Sequence, residues 1–174
     1  GIGIIVMAIT LMPIMNVGGM QLFKISDHHT GEKILPKSKE ITIRLIVIYL
    51  ILTAICAFFY KIFGMEFFDS LTHSMTTIAT GGFSNYNQSI GFFNSASIEI
   101  TSMIFILLGS IPFISYIKFV NGDRNVFFTD TQIKSFLKII FISIIILFIY
   151  LAIKHENIFQ INLRAVSFNV ISIL

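Results

Sequence analysis

Charged residues are scarce in this sequence. Aspartate, glutamate, lysine and arginine make up 12% of its 174 residues, whereas a soluble domain carries about a quarter. Hydrophobic residues make up 55%, and the mean hydropathy is +0.88. This composition excludes an ordinary soluble domain and indicates an integral membrane chain.

Several other residue types and signals are also rare or absent. There is no tryptophan, so aromatic residues at the membrane surface must be tyrosine or phenylalanine. The single cysteine, Cys56, lies in an apolar run, where we expect a buried or lipid-facing thiol without an intrachain disulfide. The sequence has no initiator methionine and no charged amino-terminal segment, so no signal peptide is indicated. Both ends fall within apolar patterns, which predicts an internal piece of a longer protein.

Basic residues are missing between Lys61 and Lys118. Nine of the twelve lysines and arginines lie in residues 24–44 and 118–138. The positive-inside rule places both of these segments in the cytoplasm, so the region between them enters from the outside. Three carboxylates then lie near the outer face, either attracting cations or serving as solvated surface groups: Glu66, Asp69 and Glu99.

Four apolar runs without charge are the candidate membrane spans, because about 20 residues of helix cross a bilayer core. They are residues 1–23, 45–60, 100–117 and 139–153. The third contains Gly109, Ser110 and Pro112, which predicts a bend. Adjacent histidines in the first basic segment show no metal-ligand spacing, and we predict a solvated loop there and no metal site.

The polar stretch 76–85, TTIATGGFSN, interrupts this apolar pattern near the middle of the chain. It is too polar and too short to cross as an ordinary helix. Irregular backbone is tolerated at membrane depth where it is buried in protein or lines a cavity. Gly81 and Gly82 give the backbone freedom to turn and to bring carbonyl oxygens towards an ion. We therefore predict a pore loop.

Residues 67–79, just before the glycines, are too short to cross the membrane. Apolar residues recur every three or four positions, which predicts a half-crossing helix with one apolar face. Asp69 or Ser70 suits its start, and the negative end of its dipole would point at the glycines. The predicted polar face consists of Asp69, Ser70, Thr72, His73, Thr76 and Thr77.

The order of span, half-helix, glycine turn and span occurs once completely and then begins again. In the first copy, Gly81 follows Tyr60 by 21 residues; in the second, the span ends near Ile153, which places the matching glycine at about position 174. We predict an all-α membrane protein built from membrane–pore-loop–membrane repeats. Its parts are a closing helix at 1–23, a cytoplasmic loop at 24–44, a complete repeat at 45–117, a cytoplasmic loop at 118–138, and the opening of the next repeat at 139–174.

Several segments, in order along the chain, resemble one known family. They are residues 1–7, 11–13, 17–23, 34–37, 64–69, 77–85 and 89–93. Residues 77–85 with SIGFF at 89–93 are similar to the second pore loop of the TrkH/TrkG potassium transporters, in the Trk/Ktr/HKT superfamily. Residues 1–23 are similar to the helix that closes the first repeat of that family. The resemblance covers essentially the whole chain.

The resemblance implies four repeats around a pseudo-fourfold pore that conducts K⁺. It implies a homodimer in the bacterial inner membrane, with a TrkA-like nucleotide-binding regulatory subunit in the cytosol. No cofactor, metal site, catalytic residue or nucleic-acid partner is expected. Gly81 would be the filter glycine, with backbone from Ala79, Thr80 and Gly82 beside it, and the sequence contains one of the four filter loops.

Three other interpretations stay open at this stage. One is a membrane scaffold subunit that transports nothing. Another is the remnant of a split or decayed transporter gene. The third is an intramembrane enzyme, because Asp69 and His73 lie four residues apart on the half-helix and can touch. Against the enzyme, no metal-ligand trio or activated nucleophile accompanies the pair, and a pore-helix histidine bonded to nearby backbone explains them as well.

Overall fold

A computed structural model describes residues 34–154 and 162–173, with side chains from residue 41 onward. Within these ranges the chain is helical and contains no strand. The predicted closing helix at 1–23 lies outside the described residues. The helices are α1 (Ile34–Ile62), α2 (Phe67–Ile78), α3 (Ala96–Ser110), α4 (Phe113–Val120), α5 (Val126–Thr129), α6 (Thr131–Lys154) and α7 (Leu163–Ser172), with a 3₁₀ turn at Ser89–Phe93.

Residues 1–51 and 52–174 form two compact units. Of the first unit, the structure describes only the beginning of α1. In the second unit, α2 packs against α3, and α7 packs against both α3 and α6. The contacts that surround the polar glycine stretch all belong to this second unit.

Two described helices are long and apolar enough to cross a membrane, namely Ile41–Ile62 of α1 and Thr131–Lys154 of α6. A third span is present if α3 and α4 count together as one bent pair. The helices Ile41–Ile62 and Thr131–Lys154 have mean hydropathies of 2.5 and 2.9. They contain the apolar runs predicted as spans at 45–60 and 139–153.

Both long helices begin inside segments that the charge pattern had predicted as loops. α1 begins at Ile34 and α6 at Thr131, although loops were predicted to continue to residues 44 and 138. At α6 the reason is a cap, because the Asp130 carboxylate accepts a hydrogen bond from the Gln132 N–H at 2.8 Å. Exposed lysine side chains in its first turns reach towards water without ending the helix.

The predicted bend near Pro112 is confirmed, and it is a break rather than a gentle kink. α3 and α4 meet at 85° across Ile111 and Pro112. Proline has no N–H, so the carbonyl of Leu108 loses the donor that a continuous helix would supply. The Tyr116 hydroxyl donates to that carbonyl at 2.6 Å, and the Ile111 N–H lies 3.3 Å from it. Tyr116 therefore stabilises the break.

Replacing Tyr116 with phenylalanine should lower the free energy of unfolding by about 1 kcal/mol, the usual net value of one hydrogen bond whose acceptor keeps a second, weaker donor. The measurement is thermal unfolding of the purified chain in detergent, followed by circular dichroism. Tyr150→Phe is the matched control, since Tyr150 is 57% exposed on α6. Equal midpoints for the two variants would contradict this role of Tyr116.

The half-helix α2 buries its polar face and exposes its apolar face. Asp69, Ser70, His73, Ser74 and Thr77 are all buried. The apolar side chains of α2 are 38% to 71% exposed within this chain, apart from Ile78, which is buried: Phe67, Phe68, Leu71 and Met75. The polar groups of α2 thus serve contacts inside its own repeat, and the apolar groups face outward.

Candidate functional site

The polar stretch begins where α2 ends. Ile78 is the last helical residue, and Ala79 is the cap, with its N–H bonded to the Met75 carbonyl at 3.1 Å. The Gly81 N–H then donates to the Thr76 carbonyl at 2.8 Å. This turn ties the start of the glycine loop, defined here as residues 79–83, to the last turn of α2.

Two residues of the glycine loop adopt left-handed backbone conformations. Gly82 has φ +69°, which glycine adopts without strain. Thr80 has φ +49°, which is rare for a β-branched residue and costs on the order of 1–3 kcal/mol. At Gly81, the residue predicted as the filter glycine, space is the constraint, because an added Cβ would lie 3.3 Å from the Phe83 ring.

The backbone of the glycine loop is accessible. Thr80, Gly81 and Gly82 are exposed, and Ala79 is half-buried. The negative end of the α2 dipole ends directly at this exposed backbone. The residues predicted to supply filter backbone are thus accessible or half-buried, and their binding of an ion stays a prediction.

His73 is 2% exposed, and it connects α2 to the residue that follows the glycine loop. Its Nδ1 lies 2.9 Å from the Asp69 main-chain carbonyl, which can only accept, so Nδ1 carries the proton. Its Nε2 then accepts from the Ser84 hydroxyl at 2.9 Å in the neutral imidazole. The Ser84 oxygen also accepts from the Tyr86 N–H at 3.1 Å. The imidazole thus joins α2 to the segment that follows the glycines.

Asp69 holds the same segment at two further points, and it is 6% exposed. Its Oδ2 accepts from the Tyr86 hydroxyl at 2.7 Å, and its Oδ1 accepts from the Asn85 amide at 3.2 Å. The hydrogen bond to Asp69 raises the pKa of the Tyr86 hydroxyl above its ordinary value. Asp69 does lie in the first turn of α2, but the cap is Glu66, whose side chain makes no capping hydrogen bond.

Aromatic rings close the space beyond this polar network. The Tyr86 ring stacks on Phe92 with centroids 3.8 Å apart and planes 5° apart. Phe93 meets the rings of His73 and Tyr86 edge-on, at 5.5 Å each. The 3₁₀ turn brings both phenylalanines to this position. The return segment, defined here as residues 84–93, therefore packs on α2 through ring contacts with His73 as well as through hydrogen bonds.

A small cleft of about 70 Å³ opens between α2 and the glycine loop. This is room for about two waters, since each takes about 30 Å³ in the liquid. Most of its lining surface is carbon, although five of the six lining residues have polar side chains: Thr72, His73, Thr76, Phe83, Ser84 and Asn85.

Thr77 lies one turn after His73 on α2, and its main-chain carbonyl accepts a hydrogen bond from the Thr80 N–H at 3.1 Å, but its side chain has partners outside the loop. Its hydroxyl is 2.8 Å from the Tyr60 hydroxyl, which is 2.9 Å from that of Ser102, and Ser102 donates to the Ile98 carbonyl at 2.9 Å. Because each hydroxyl has one proton, the donors run from Thr77 to Tyr60 to Ser102. This buried chain joins α1, α2 and α3 within the repeat.

The predicted site residues thus fall into two groups. The first group forms or adjoins the loop: Ala79, Thr80, Gly81 and Gly82 form it, Thr76 is hydrogen-bonded to it, and His73 and Asp69 are hydrogen-bonded to the segment after it. The Thr77 side chain belongs instead to the interhelical hydroxyl chain. Sequence reasoning missed the partners Tyr60, Ser84, Asn85, Tyr86, Phe92, Phe93 and Ser102. No local sequence pattern predicts these partners, because their hydrogen bonds join residues that are 11 to 42 positions apart.

The contact between Asp69 and His73 is not a catalytic dyad. The imidazole is bonded to the main-chain carbonyl of Asp69, while the Asp69 carboxylate serves Asn85 and Tyr86. Among the described residues, no group of three His, Cys, Asp or Glu side chains is placed to hold a metal ion. The geometry is that of a braced loop.

Residues 1–172 match the family model of TrkH, described as a cation transport protein. The chain is 34% identical over 175 residues to the Trk system potassium uptake protein TrkI of Halomonas elongata, covering 100% of this chain and 35% of that protein. It is 35% identical over 149 residues to the Trk system potassium uptake protein TrkH of Escherichia coli K12, covering 84% and 31% respectively. The chain thus spans about a third of the length of these relatives.

The structure is similar to the crystal structure of the potassium transporter TrkH from Vibrio parahaemolyticus. The TM-score is 0.76 at 28% sequence identity, and the match covers 99% of this chain and 35% of that one. The predicted all-α architecture of pore-loop repeats is confirmed by this similarity. The matched relatives are ion transporters, so the enzyme interpretation is set aside. The chain belongs to the TrkH family of cation transport proteins.

Proposed function

We propose that this chain is the part of a potassium uptake transporter that contributes one filter loop to its pore. The observation that carries the proposal is the glycine loop at the end of α2, exposed on its outer side and braced by buried polar groups behind. The names of the curated relatives, Trk system potassium uptake proteins, support K⁺ as the ion.

In this proposal, backbone carbonyl oxygens of residues 79–82 replace part of the hydration shell of K⁺. Such oxygens must be held in place, because selectivity depends on the number and arrangement of the coordinating dipoles. The Gly81–Thr76 hydrogen bond, together with the hydrogen bonds of His73 and Asp69 to the return segment, supplies that restraint. One loop surrounds a quarter of the path, so three further loops complete the filter.

The assembly around this pore is also part of the proposal. We infer a homodimer in the bacterial inner membrane, with residues 118–138 facing the cytoplasm beside a nucleotide-binding regulatory subunit. Conduction uses K⁺ as the transported ion and involves no resident cofactor. The resemblance of the sequence to the family supports these inferences.

A chimera provides the test of this function. The chain replaces the matching segment of the full-length Escherichia coli relative, and the protein is expressed in a strain without other K⁺ uptake. Uptake of rubidium, a tracer for K⁺, should return to a rate well above that of the empty strain. A chimera that reaches the membrane in normal amount and transports no rubidium would instead support a scaffold or a remnant.

In that chimera, Gly81→Ser should lower the rubidium-to-sodium uptake ratio by about tenfold, equivalent to about 1.4 kcal/mol of discrimination. The reason is the new Cβ, which would lie 3.3 Å from the Phe83 ring, so that this ring or the loop that carries it must shift by tenths of an ångström. Gly91→Ser is the matched control, because its Cβ would meet nothing within 4 Å. A ratio unchanged by Gly81→Ser would refute a filter role for this residue.

A further inference from the structure

An ion pair joins α3 to α7. The Arg164 Nε lies 2.8 Å from the Glu99 Oε2, with the two side chains 37% and 16% exposed. The Nε–H is not directed at the carboxylate oxygen, so the contact is electrostatic rather than a well-aligned hydrogen bond. α3 closes the complete repeat, and α7 lies where the sequence predicts the pore helix of the next repeat. The pair therefore connects two neighbouring repeats.

The position of Arg164 in its own helix is electrostatically unfavourable. It is the second residue of α7, next to the Asn162 cap, whose Oδ1 accepts from the Arg164 N–H at 3.0 Å. A cation in the first turn opposes the helix dipole. Glu99, by contrast, lies in the first turn of α3, where a carboxylate is favoured. The attraction of the Glu99 carboxylate on α3 offsets the unfavourable position of Arg164 in α7.

We propose that the Glu99–Arg164 pair sets the position of α7, the predicted pore helix of the next repeat, relative to the complete repeat. α7 already packs against α3 and α6, and a charge pair at the start of α7 adds a specific restraint between α7 and α3 to that packing. Glu99 and Arg164 are then positioning residues for ion selectivity, because the placement of α7 determines where the next filter loop lies. This inference rests on the proposed transport function.

The alternative role for Glu99 is attraction of cations at the outer face. The two roles differ in what removal of Arg164 does. If Glu99 concentrates cations, Glu99→Gln should raise the apparent KM for rubidium, and Arg164→Gln should lower it by removing an opposing charge. If the pair positions α7, both variants should change selectivity in the same direction and by a similar factor.

The experiment uses the full-length chimera, with rubidium and sodium uptake normalised to the amount of protein in the membrane. Glu99→Gln and Arg164→Gln should each lower the rubidium-to-sodium ratio by about threefold, as befits a partly exposed ion pair. The exchange variant Glu99→Arg/Arg164→Glu should restore most of the ratio. The exchange moves the cation from the start of α7 to the start of α3, so the total interaction of the two charges with the helix dipoles stays similar. Recovery of the uptake ratio then reports the ion pair itself. Glu66→Gln, an exposed carboxylate on the same predicted face, is the control.

Any of four results would overturn the inference. Three concern the single variants: an unchanged ratio, a loss of protein amount alone, or opposite shifts of KM. The fourth is an exchange variant that is as unselective as the single variants. Failure of the unsubstituted chimera to transport rubidium contradicts the proposed function instead, so the two failures are distinguishable.

Discussion

Gly109→Ala is expected to displace the filter loop and so to reduce rubidium uptake by the chimera at least tenfold. A tenfold reduction corresponds to about 1.4 kcal/mol. A Cβ on Gly109 would lie 2.7 Å from the Ile78 carbonyl oxygen and 3.3 Å from the Ile78 Cα. These are main-chain atoms at the last residue of α2, so no flexible side chain can move aside. Relief of the contact must separate α3 from α2 immediately before the glycine loop.

The helix preference of alanine does not offset this contact. Alanine is favoured over glycine in a helix interior by about 1 kcal/mol, whereas overpacking of a close contact costs about 1–3 kcal/mol, and more where backbone must shift. The net effect on the free energy of unfolding should therefore be destabilising. Rubidium uptake and the thermal midpoint of the purified chimera provide the two measurements.

Gly91→Ala is the matched control for this substitution. Gly91 lies in the 3₁₀ turn of the same repeat, has no positive φ, and would place its Cβ in open space. Its uptake and midpoint should match those of the unsubstituted chimera. The close approach of α2 and α3 would lose its importance if Gly109→Ala behaved like Gly91→Ala.

Asp69→Ala is expected to have the second largest effect, lowering the free energy of unfolding by about 2–3 kcal/mol. It removes the acceptor for the Tyr86 hydroxyl and one of two acceptors for the Asn85 amide. Hydrogen bonds to a charged group contribute about 1.5–3 kcal/mol each. The return segment would lose one of its restraints on α2, and the rubidium-to-sodium ratio should fall together with stability.

Asp69→Asn separates the charge from the hydrogen bonds. Its amide oxygen can accept from Asn85, and its amide nitrogen can donate to the Tyr86 oxygen, so both contacts remain with weaker, neutral partners. We expect a loss of less than half that of the alanine variant in thermal stability. Glu66→Ala, three residues earlier and without a capping hydrogen bond, should be close to neutral.

A double-mutant cycle with Tyr86→Phe tests the direct contact. If the hydroxyl acts through Asp69, Tyr86→Phe should cost much less in the Asp69→Ala background than in the unsubstituted chimera. Additive losses would mean that the two residues act independently, contrary to the 2.7 Å contact between them.

The position of the glycine loop could be read directly from the sequence. A polar segment with paired glycines between apolar runs has few acceptable structures in a membrane, because unbonded backbone is costly there. The same is true of the break at Pro112, since proline removes one helix donor whatever the surroundings. What local pattern could not supply was the residue that replaces this donor, the Tyr116 hydroxyl.

The sequence could not predict the partners of Asp69 and His73, for a related reason. Both side chains were recognised as members of the polar face of the half-helix. Their contacts with Ser84, Asn85 and Tyr86 depend on how the return segment folds back, which the left-handed residues Thr80 and Gly82 direct. The loop was predicted around Gly81, and the backbone conformation that reverses the chain lies on either side of it.

Composition and the order of segments along the chain are enough to indicate a membrane chain, to locate its polar loop and to identify the family that it resembles. Which face of α2 points inward depends on the packing of the folded chain. In water the apolar face of a helix is buried, but beside lipid and neighbouring repeats both faces leave water, so polarity alone does not choose. The hydrogen-bonding needs of the return segment and of Tyr60 turn the polar face towards the repeat. The same packing brings Glu99 to Arg164, a contact that depends on the arrangement of helices rather than on any local pattern.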